Sequence, residues 1–379
     1  MEVEVTFKSG LGQEWTVDGS YSISTDTKRE DLQDIVLHIL EKSAVLMFTL
    51  HNQPLTGTLQ ELLNSQNLST EGKIELEFFI QIPPLKSSGQ VDSGDWVSSI
   101  HQFSSSIFVS NYSGYIQKFT DMNLDSQKSI FTGPLKSFDI NNETKLICAI
   151  SKKGLTSVLD LDFNIIASGN TEHAEKCVWN PSGSKFAIGL YSGTISICET
   201  NENSAVIIQG NKKQHIDSKG ITYNIIETCH TDLVSGVFWP SFETLVTTSF
   251  DHNVHQVDLI KASISSSILC PRSIQCSDFC SHMVFCGFEN SLVNAYDCRT
   301  SGKILNTNTS AWVRSLKVVG NAISVGLENG QVLLYDLRAY KTPTHVLQAH
   351  DGKVMALDGD NEFLYTGGAD GCIQRFTFT

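Results

Sequence analysis

The sequence predicts a mainly β protein in two parts, a small N-terminal α+β domain and a seven-bladed β-propeller. Two observations predict this fold: the order of extended and helical segments at the N-terminus, and a turn-and-strand pattern that then repeats seven times. With 40% hydrophobic and 18% charged residues, the composition is typical of a globular chain. We expect the first domain at 1–82, a linker at 83–94 and the propeller at 95–379.

The N-terminal elements follow from alternation, apolar periodicity and capping-box spacing. Thr27 and Glu30 precede an apolar helical face, and Thr58 and Glu61 precede a shorter one. The predicted elements are strands at 2–8 and 14–23, a helix after Thr27, a strand at 45–50, a short helix after Thr58 and a strand at 73–80.

This element order resembles that of ubiquitin-like β-grasp domains, in which one helix lies across a mixed sheet. The last strand runs into Gln81-Ile-Pro-Pro84 and not into a diglycine tail, so conjugation is not expected. Residues 1–86 hold 6 Lys/Arg against 13 Asp/Glu. Because such an acidic domain repels phosphate backbones and attracts cationic surfaces or bound cations, we interpret it as a protein-binding module.

The repeat is a tight turn followed by a strand, as in Asn329-Gly-Gln-Val-Leu-Leu-Tyr335. The strands close on Phe119, Leu159, Cys198, Val257, Tyr296, Tyr335 and Phe376. Five of the six intervals are 39 to 41 residues and the third is 59. A period near 40 with four short strands is typical of WD-repeat propellers, although no Trp-Asp dipeptide occurs. An array of two-layer β-sandwiches is the alternative.

The long interval predicts an insertion at 201–230, which carries Asn211-Lys-Lys213. Whether this insertion contacts RNA directly is left open.

Ring closure predicts a further feature. If each repeat supplies the outer strand of one blade and three strands of the next, the last repeat lacks its outer strand. We therefore expect residues 82–91 to lie along the last blade.

Two repeats contain residues that resemble a catalytic triad. They are His230, Thr247, Ser249 and Asp251 in the fourth repeat, and His350, Thr366 and Asp370 in the last. Because propeller blades use a His, a Ser or Thr and an Asp as an internal hydrogen-bonded chain, we interpret both sets as structural. A hydrolase at His230 is the alternative. The sequence contains no phosphate loop, HExxH or GxSxG motif, so we do not expect an enzyme.

Trp96 and Trp312 open two equivalent repeats, as Trp-Val-Ser-Ser and Trp-Val-Arg-Ser. Each Trp is either packed between blades or an anchor of an interface, and we favour packing between blades.

Two short motifs and the domain order carry a family resemblance. The motifs are Asp95-Trp-Val-Ser-Ser99, just after the Pro-Pro linker, and Leu68-Ser-Thr-Glu71, just before the last strand of the first domain. The chain resembles the Ytm family, the WD-repeat subunit of the PeBoW complex in large ribosomal subunit assembly. The resemblance implies a scaffold in rRNA processing, located in the nucleolus and nucleoplasm.

The resemblance also implies partners and a site. The partners are Pescadillo, the block-of-proliferation (Erb/Bop) protein, the pre-60S particle and the AAA ATPase midasin. The β-grasp domain docks onto the MIDAS domain of midasin, and Glu71 supplies a ligand to the Mg²⁺ of that partner site. The chain has no cofactor of its own in this interpretation. No apolar run approaches the roughly 18 residues that cross a bilayer, so no membrane partner is expected.

Two further alternatives belong to other classes. Notchless has the same N-terminal module and binds the same ATPase, but its propeller resembles eight units. A β-grasp domain joined to a propeller also suits a substrate adaptor of the ubiquitin pathway.

Overall fold

A computed structural model describes residues 2–11, 13–69, 72–200, 214–216, 220–226 and 229–378. The chain forms two compact units. The first comprises Met1–Pro84 with Tyr335–His345, and the second comprises Leu85–Leu334 with Val346–Thr379. No helix among the described residues is long and apolar enough to cross a membrane. The mainly β fold is confirmed, since short strands dominate both units.

The first unit contains a five-stranded mixed sheet and one long helix. Its elements are β1 (Glu2–Ser9), a 3-10 turn (Gln13–Trp15), β2 (Ser20–Ser24), α1 (Arg29–Leu40), β3 (Leu46–Leu50), β4 (Gln53–Pro54), α2 (Leu59–Ser65) and β5 (Ile74–Ile80). The strand order is β2-β1-β5-β3-β4, with β1 parallel to β5 and the other pairs antiparallel. Leu32 and Val36 of α1 share one buried core with Phe48 and Phe78 of the sheet.

The start of α1 differs from the prediction. The N-cap is Lys28, whose backbone N–H donates to the Asp31 carboxylate at 3.1 Å. Thr27 instead closes a turn with Ser24, so the predicted cap was wrong by one residue. The cap predicted for α2 is confirmed: the Glu61 N–H donates to Thr58 Oγ1 at 3.3 Å, and the Thr58 N–H donates to the Glu61 carboxylate at 3.2 Å.

The first unit has a second, smaller apolar cluster. Met47 and Phe79 alternate with core residues along β3 and β5, so they lie on the other face of the sheet. Buried Ala339 packs against them. The Arg338 guanidinium lies over the Phe79 ring at 3.9 Å from its centroid and donates to the Ile80 carbonyl at 3.2 Å. Segment 335–345 therefore contributes to this unit through both packing and polar contacts.

The second unit is a propeller of seven blades, numbered 1 to 7 in chain order. Blade 1 contains β7 (Val97–Phe103), β8 (Ser106–Asn111), β9 (Tyr115–Thr120) and β10 (Asn123–Ser129). Blade 2 contains β11 (Leu135–Ile140), β12 (Ile147–Ser151), β13 (Leu155–Leu159) and β14 (Ile165–Asn170). Blade 3 contains β15 (Ala174–Trp179), β16 (Lys185–Leu190), β17 (Ile195–Thr200), β18 (Gln214–Ile216) and β19 (Ile221–Ile226).

Blades 4 to 7 complete the ring, and each has four strands. Blade 4 contains β20 (Val234–Ser241), β21 (Thr244–Ser249), β22 (Asn253–Asp258) and β23 (Ser263–Leu269), and blade 5 contains β24 (Ile274–Cys280), β25 (Met283–Phe288), β26 (Leu292–Asp297) and β27 (Gly302–Asn308). Blade 6 contains β28 (Val313–Val319), β29 (Ala322–Leu327), β30 (Gln331–Asp336) and β31 (His345–Gln348). Blade 7 contains β32 (Val354–Gly359), β33 (Phe363–Gly368), β34 (Cys372–Phe378) and β6 (Leu85–Asp92).

The outer strand of blade 7 comes from the start of the second unit. Strand β6 pairs antiparallel with β34, from Asp92 opposite Cys372 to Leu85 opposite Phe378. This pairing is the one expected for the segment around 82–91. The first strand of every blade contacts the first strand of the next, and β32 contacts β7. The seven first strands therefore surround a central channel.

Apolar side chains fill the spaces between blades. Phe108 of blade 1 belongs to one cluster with Phe138 of blade 2, and Val97 of blade 1 belongs to another with Tyr365 of blade 7. Each blade thus covers an apolar face of its neighbour, as radial stacking requires.

Blade 3 carries the predicted insertion. Strand β19 pairs with β17 and takes the fourth position, and β18 adds a fifth strand at the edge. Most of the predicted insertion 201–230, including Asn211-Lys-Lys213, lies outside the described residues.

Candidate functional site

The loop between α2 and β5 carries the predicted metal ligand. Glu71 and its neighbour Thr70 lie outside the described residues, whereas both ends of the loop are described. After α2, Asn67 takes a left-handed conformation with φ of 53°, and the Leu68 N–H donates to the Leu63 carbonyl at 3.1 Å. The helix therefore ends in a hydrogen-bonded turn that directs the chain into the loop.

Side chains at the end of α2 fix the start of this loop to the sheet. The Gln66 side chain donates to the Leu50 carbonyl at 2.8 Å, and its oxygen lies 2.7 Å from His51 Nδ1. Gln53 donates to Ser65 Oγ at 3.1 Å. These bonds join α2 to the turn between β3 and β4.

The sheet beside the loop is acidic, and its described lysines are paired. Lys73 lies 3.0 Å from Glu4, and Lys8 lies 2.6 Å from Glu77 and 3.6 Å from Glu75. The hydrogen bond from Ser20, followed by the contact with Lys73, lowers the pKa of Glu4. These exposed ion pairs contribute little stability. They do place carboxylates on the strands that border the loop.

The residues of the fourth repeat form a hydrogen-bonded chain. His230 Nδ1 lies 2.9 Å from the Asp251 carboxylate, and His230 Nε2 lies 2.9 Å from Thr247 Oγ1. The Asp251 carboxylate also accepts the Thr231 N–H at 3.0 Å. Ser249 is not a member of this hydrogen-bonded chain. Its hydroxyl donates to the Asp232 carbonyl at 2.9 Å.

The last repeat reproduces this chain. His350 Nε2 lies 2.7 Å from Thr366 Oγ1, and His350 Nδ1 lies 3.1 Å from both Asp370 oxygens. The side chains of His350 and His230 are both 0% exposed. A general base must reach the proton that it abstracts, and neither imidazole is accessible to a substrate. The geometry therefore favours the structural interpretation over the hydrolase alternative.

His255 stacks on His230 with ring centroids 4.4 Å apart. The potential metal-ligand atoms of His230, Asp251 and His255 all lie within 4.8 Å of one another. Both nitrogens of His230 already make hydrogen bonds, to Asp251 and to Thr247. Burial lowers the pKa of His255 to about 4, so this imidazole is neutral at neutral pH. Hydrogen bonding and stacking therefore account for the cluster.

The expectation that Trp96 and Trp312 pack between blades is wrong. Their exposed fractions are 49% and 48%. The Trp96 ring lies 5.8 Å from Tyr112, and the Arg314 guanidinium lies 5.4 Å from the Trp312 ring. In both blades the fully buried valine that follows the Trp fills the space between sheets. Each Trp thus precedes its strand and remains at the surface.

Sequence reasoning missed a set of charged residues at one position of the first strands, which we call the latch ring. Its members are His101, Asp139, Asp278, Lys317 and Asp358. Each of its three carboxylates accepts a backbone N–H from the next blade. The donors are Trp179 to Asp139 at 2.7 Å, Val318 to Asp278 at 2.7 Å, and Gln102 to Asp358 at 2.5 Å.

The cations of the latch ring pair with its carboxylates. Lys317 lies 2.6 Å from Asp358, and His101 lies 2.8 Å from Asp139. Burial acts to raise the pKa of Asp358, but Lys317 and His101 hold it below its ordinary value. Burial raises the pKa of Asp278 despite the nearby Lys317. The available sequence signal was an acidic residue at the same place in three repeats.

Comparison with known proteins extends these observations. Residues 341–376, which cover most of blade 7, match the family "WD domain, G-beta repeat". The chain is similar to ribosome biogenesis protein WDR12 homologs. In Nematostella vectensis the identity is 22% over 97% of each chain. In Drosophila pseudoobscura pseudoobscura it is 24%, over 99% of this chain and 95% of the relative. In Aedes aegypti it is 23%, over 95% and 91%. The resemblance predicted from the sequence is confirmed.

Proposed function

We propose that this protein is a non-enzymatic scaffold in the assembly of the large ribosomal subunit and in rRNA maturation. The supporting observation is similarity to ribosome biogenesis proteins over nearly the whole chain, including both structural units. The propeller joins Pescadillo and the block-of-proliferation protein on the pre-60S particle. We place this activity in the nucleolus and nucleoplasm.

The N-terminal unit is the site at which a midasin-type AAA ATPase engages the scaffold. Glu71 supplies one carboxylate oxygen to the divalent cation of the partner's MIDAS domain. A divalent cation that is held by hydroxyls and a carboxylate, with one coordination position open, accepts such a ligand. The acidic strands beside the loop suit a partner that presents a bound cation.

The loop is also suitably placed to transmit force. It leads into β5, which pairs with β1 on one side and β3 on the other. After β5 the chain continues through 81–84 into β6, which pairs with β34 of blade 7. A pull on Glu71 is therefore carried through the central strand of one sheet and along the chain into the propeller.

Blade number favours this function over that of Notchless. The described residues form seven blades, whereas the Notchless propeller resembles eight units. A substrate adaptor of the ubiquitin pathway remains the alternative from another class.

The test is affinity purification of the full chain from nuclear extract with wild-type, Glu71→Asp and Glu75→Asp proteins. Glu71→Asp shortens the side chain by one methylene group and should abolish co-purification of the ATPase. Glu75→Asp is the matched control, because Glu75 is an exposed acid on the adjacent strand. Pescadillo, the block-of-proliferation protein and rRNA precursors should remain with all three proteins.

Unchanged recovery of the ATPase with Glu71→Asp would contradict the role of Glu71. Co-purification of a cullin or ligase subunit without rRNA precursors would instead support the ubiquitin-pathway alternative.

A further inference from the structure

Every first strand of the propeller contains a β-bulge at its second residue. The seven bulged residues are Ser98, Lys136, Glu175, Ser235, Gln275, Arg314 and Met355. A bulge redirects a side chain away from the regular alternation of a strand. All seven line one cavity of about 420 Å³ in the central channel, which we call the channel pocket.

The lining of the channel pocket is positively charged, opposite in sign to the net charge of the whole chain. The whole chain carries a formal charge of −14, whereas the pocket is lined by three cations and a single acid. Lys136 and Glu175 lie 2.8 Å apart and offset each other. Burial acts to lower the pKa of Lys136, but Glu175 holds it well above its ordinary value, so the lysine stays charged.

The other two cations are not fully compensated. Arg314 donates to Glu328 at 2.8 Å, and Lys353 lies 2.7 Å from the same carboxylate, so one acid serves two cations. Lys176 is half-buried and has no acidic partner among the residues that the structure describes. An uncompensated charge in a concave, partly desolvated site attracts an opposite charge more strongly than one on an open surface.

Serines supply most of the remaining polar lining. Six serines from five blades line the pocket: Ser98, Ser99, Ser137, Ser235, Ser277 and Ser315. Several of their hydroxyls are bonded within the fold, since Ser315 donates to the Val354 carbonyl at 2.9 Å and Ser277 Oγ lies 2.7 Å from Thr248 Oγ1. The ammonium group of Lys176 and the guanidinium group of Arg314 match the acceptor oxygens of a carboxylate.

Aromatic side chains lie beside this pocket. Trp96 contacts Tyr112, and Trp312 contacts Arg314, and both contacted residues line the pocket. Exposed Trp side chains next to an Arg are typical of the anchors of protein interfaces. A polyanion such as RNA would experience the negative charge of the rest of the chain, whereas a short acidic peptide reaches the pocket with fewer charges.

We propose that the channel pocket binds a carboxylate side chain from an acidic segment of a partner protein. Lys176 and Arg314 supply the positive charge, and Trp96 and Trp312 pack against the flanking residues of the segment. The channel pocket does not include Glu71, and this proposal does not depend on binding of the ATPase to Glu71.

The test uses the full chain and a fluorescein-labelled hexaglutamate peptide, with binding followed by fluorescence anisotropy. Lys176→Gln and Arg314→Gln should each weaken binding by about ten-fold or more, because each removes a charge that contacts the ligand. Lys303→Gln is the matched control, since Lys303 is exposed on β27 outside the pocket. Its affinity should stay within about two-fold of wild type. A labelled hexaglutamine peptide should not bind.

Three outcomes would overturn the proposal. They are no binding of hexaglutamate by the wild type, equal binding by wild type and Lys176→Gln, and tighter, Lys176-dependent binding of a six-nucleotide oligouridylate, which would assign the pocket to RNA. Thermal unfolding of each variant verifies folding. If Lys176→Gln unfolds early, Lys176→Met replaces it, because the methionine retains most of the apolar stem without the charge.

Discussion

The latch ring occupies the fifth position of five first strands, and the bulged residues of the channel pocket occupy the second position of all seven, yet the charges of the two sets are arranged differently. In the latch ring, each carboxylate accepts an N–H from the next blade, and Lys317 and His101 pair with Asp358 and Asp139. In the channel pocket, Lys176 has no acidic partner among the described residues. Charges paired within the fold support its architecture, and charges left in excess are available for binding.

The latch ring also differs among blades. At the equivalent position blades 3 and 4 carry Val178 and Phe238, which cannot accept an N–H. Blades 2, 5 and 7 carry the carboxylates, so latches join blade 2 to 3, 5 to 6 and 7 to 1. The latch from Asp358 joins the last blade to the first and therefore closes the ring.

The largest effect is expected at that closing latch. Asp358→Asn should lower the free energy of unfolding by about 1–3 kcal/mol, because it removes the buried carboxylate that pairs with half-buried Lys317 at 2.6 Å. Urea denaturation followed by tryptophan fluorescence measures this loss. The double variant Lys317→Met with Asp358→Asn should recover part of it. A loss below about 1 kcal/mol would show that the latch ring does not support the fold.

A smaller effect, dependent on pH, is expected at His101. Burial acts to lower its pKa, but Asp139 and Asp358 raise it above 6.5, even with Lys317 nearby. A raised folded-state pKa gives stability that is complete below the unfolded value and lost as pH rises through the folded value.

Wild-type protein should therefore lose stability relative to His101→Gln as pH rises above about 6.5, by about 1.4 kcal/mol for each tenfold by which folding strengthens proton binding at His101. Urea midpoints of both proteins across that range measure the difference. The raised pKa of Asp278 acts with the same sign but is common to both proteins. Parallel pH profiles would assign the pH dependence to groups other than His101.

The smallest effect on stability is expected in the channel pocket. Lys176→Gln should change the free energy of unfolding by less than about 0.5 kcal/mol, because no described acid loses a partner. Lys136→Gln should cost more, since it leaves the Glu175 carboxylate without its cation. Urea unfolding of the two variants compares them directly. An equal cost for both would contradict the distinction between paired and excess charge.

Local patterns in the sequence predict much of the fold. Capping-box spacing identifies α2, and the turn-and-strand period identifies the seven blades. Gly330 illustrates why the turns recur: its φ is 83°, and a Cβ there would lie 1.9 Å from the His350 carbonyl oxygen. Spacing alone misplaced the cap of α1 by one residue, because Thr27 and Lys28 both precede the same apolar face.

The candidate sites divide in the same way. The His230 and His350 chains are predictable because their members recur at a fixed spacing within one repeat. The latch from Asp358 to Gln102 spans 256 residues, and nothing local indicates it. The exposure of Trp96 likewise depends on which neighbour fills the space between the sheets.

The sequence by itself determined the number of blades, the positions of most strands and the hydrogen-bonded chains inside a repeat, because these depend on contacts between residues close along the chain. Only the tertiary structure decided which charges of the first strands are paired and which remain in excess. That outcome depends on ring closure, which brings charged side chains from different repeats into one channel. Whether two of them form an ion pair depends on their distance across the space between neighbouring blades.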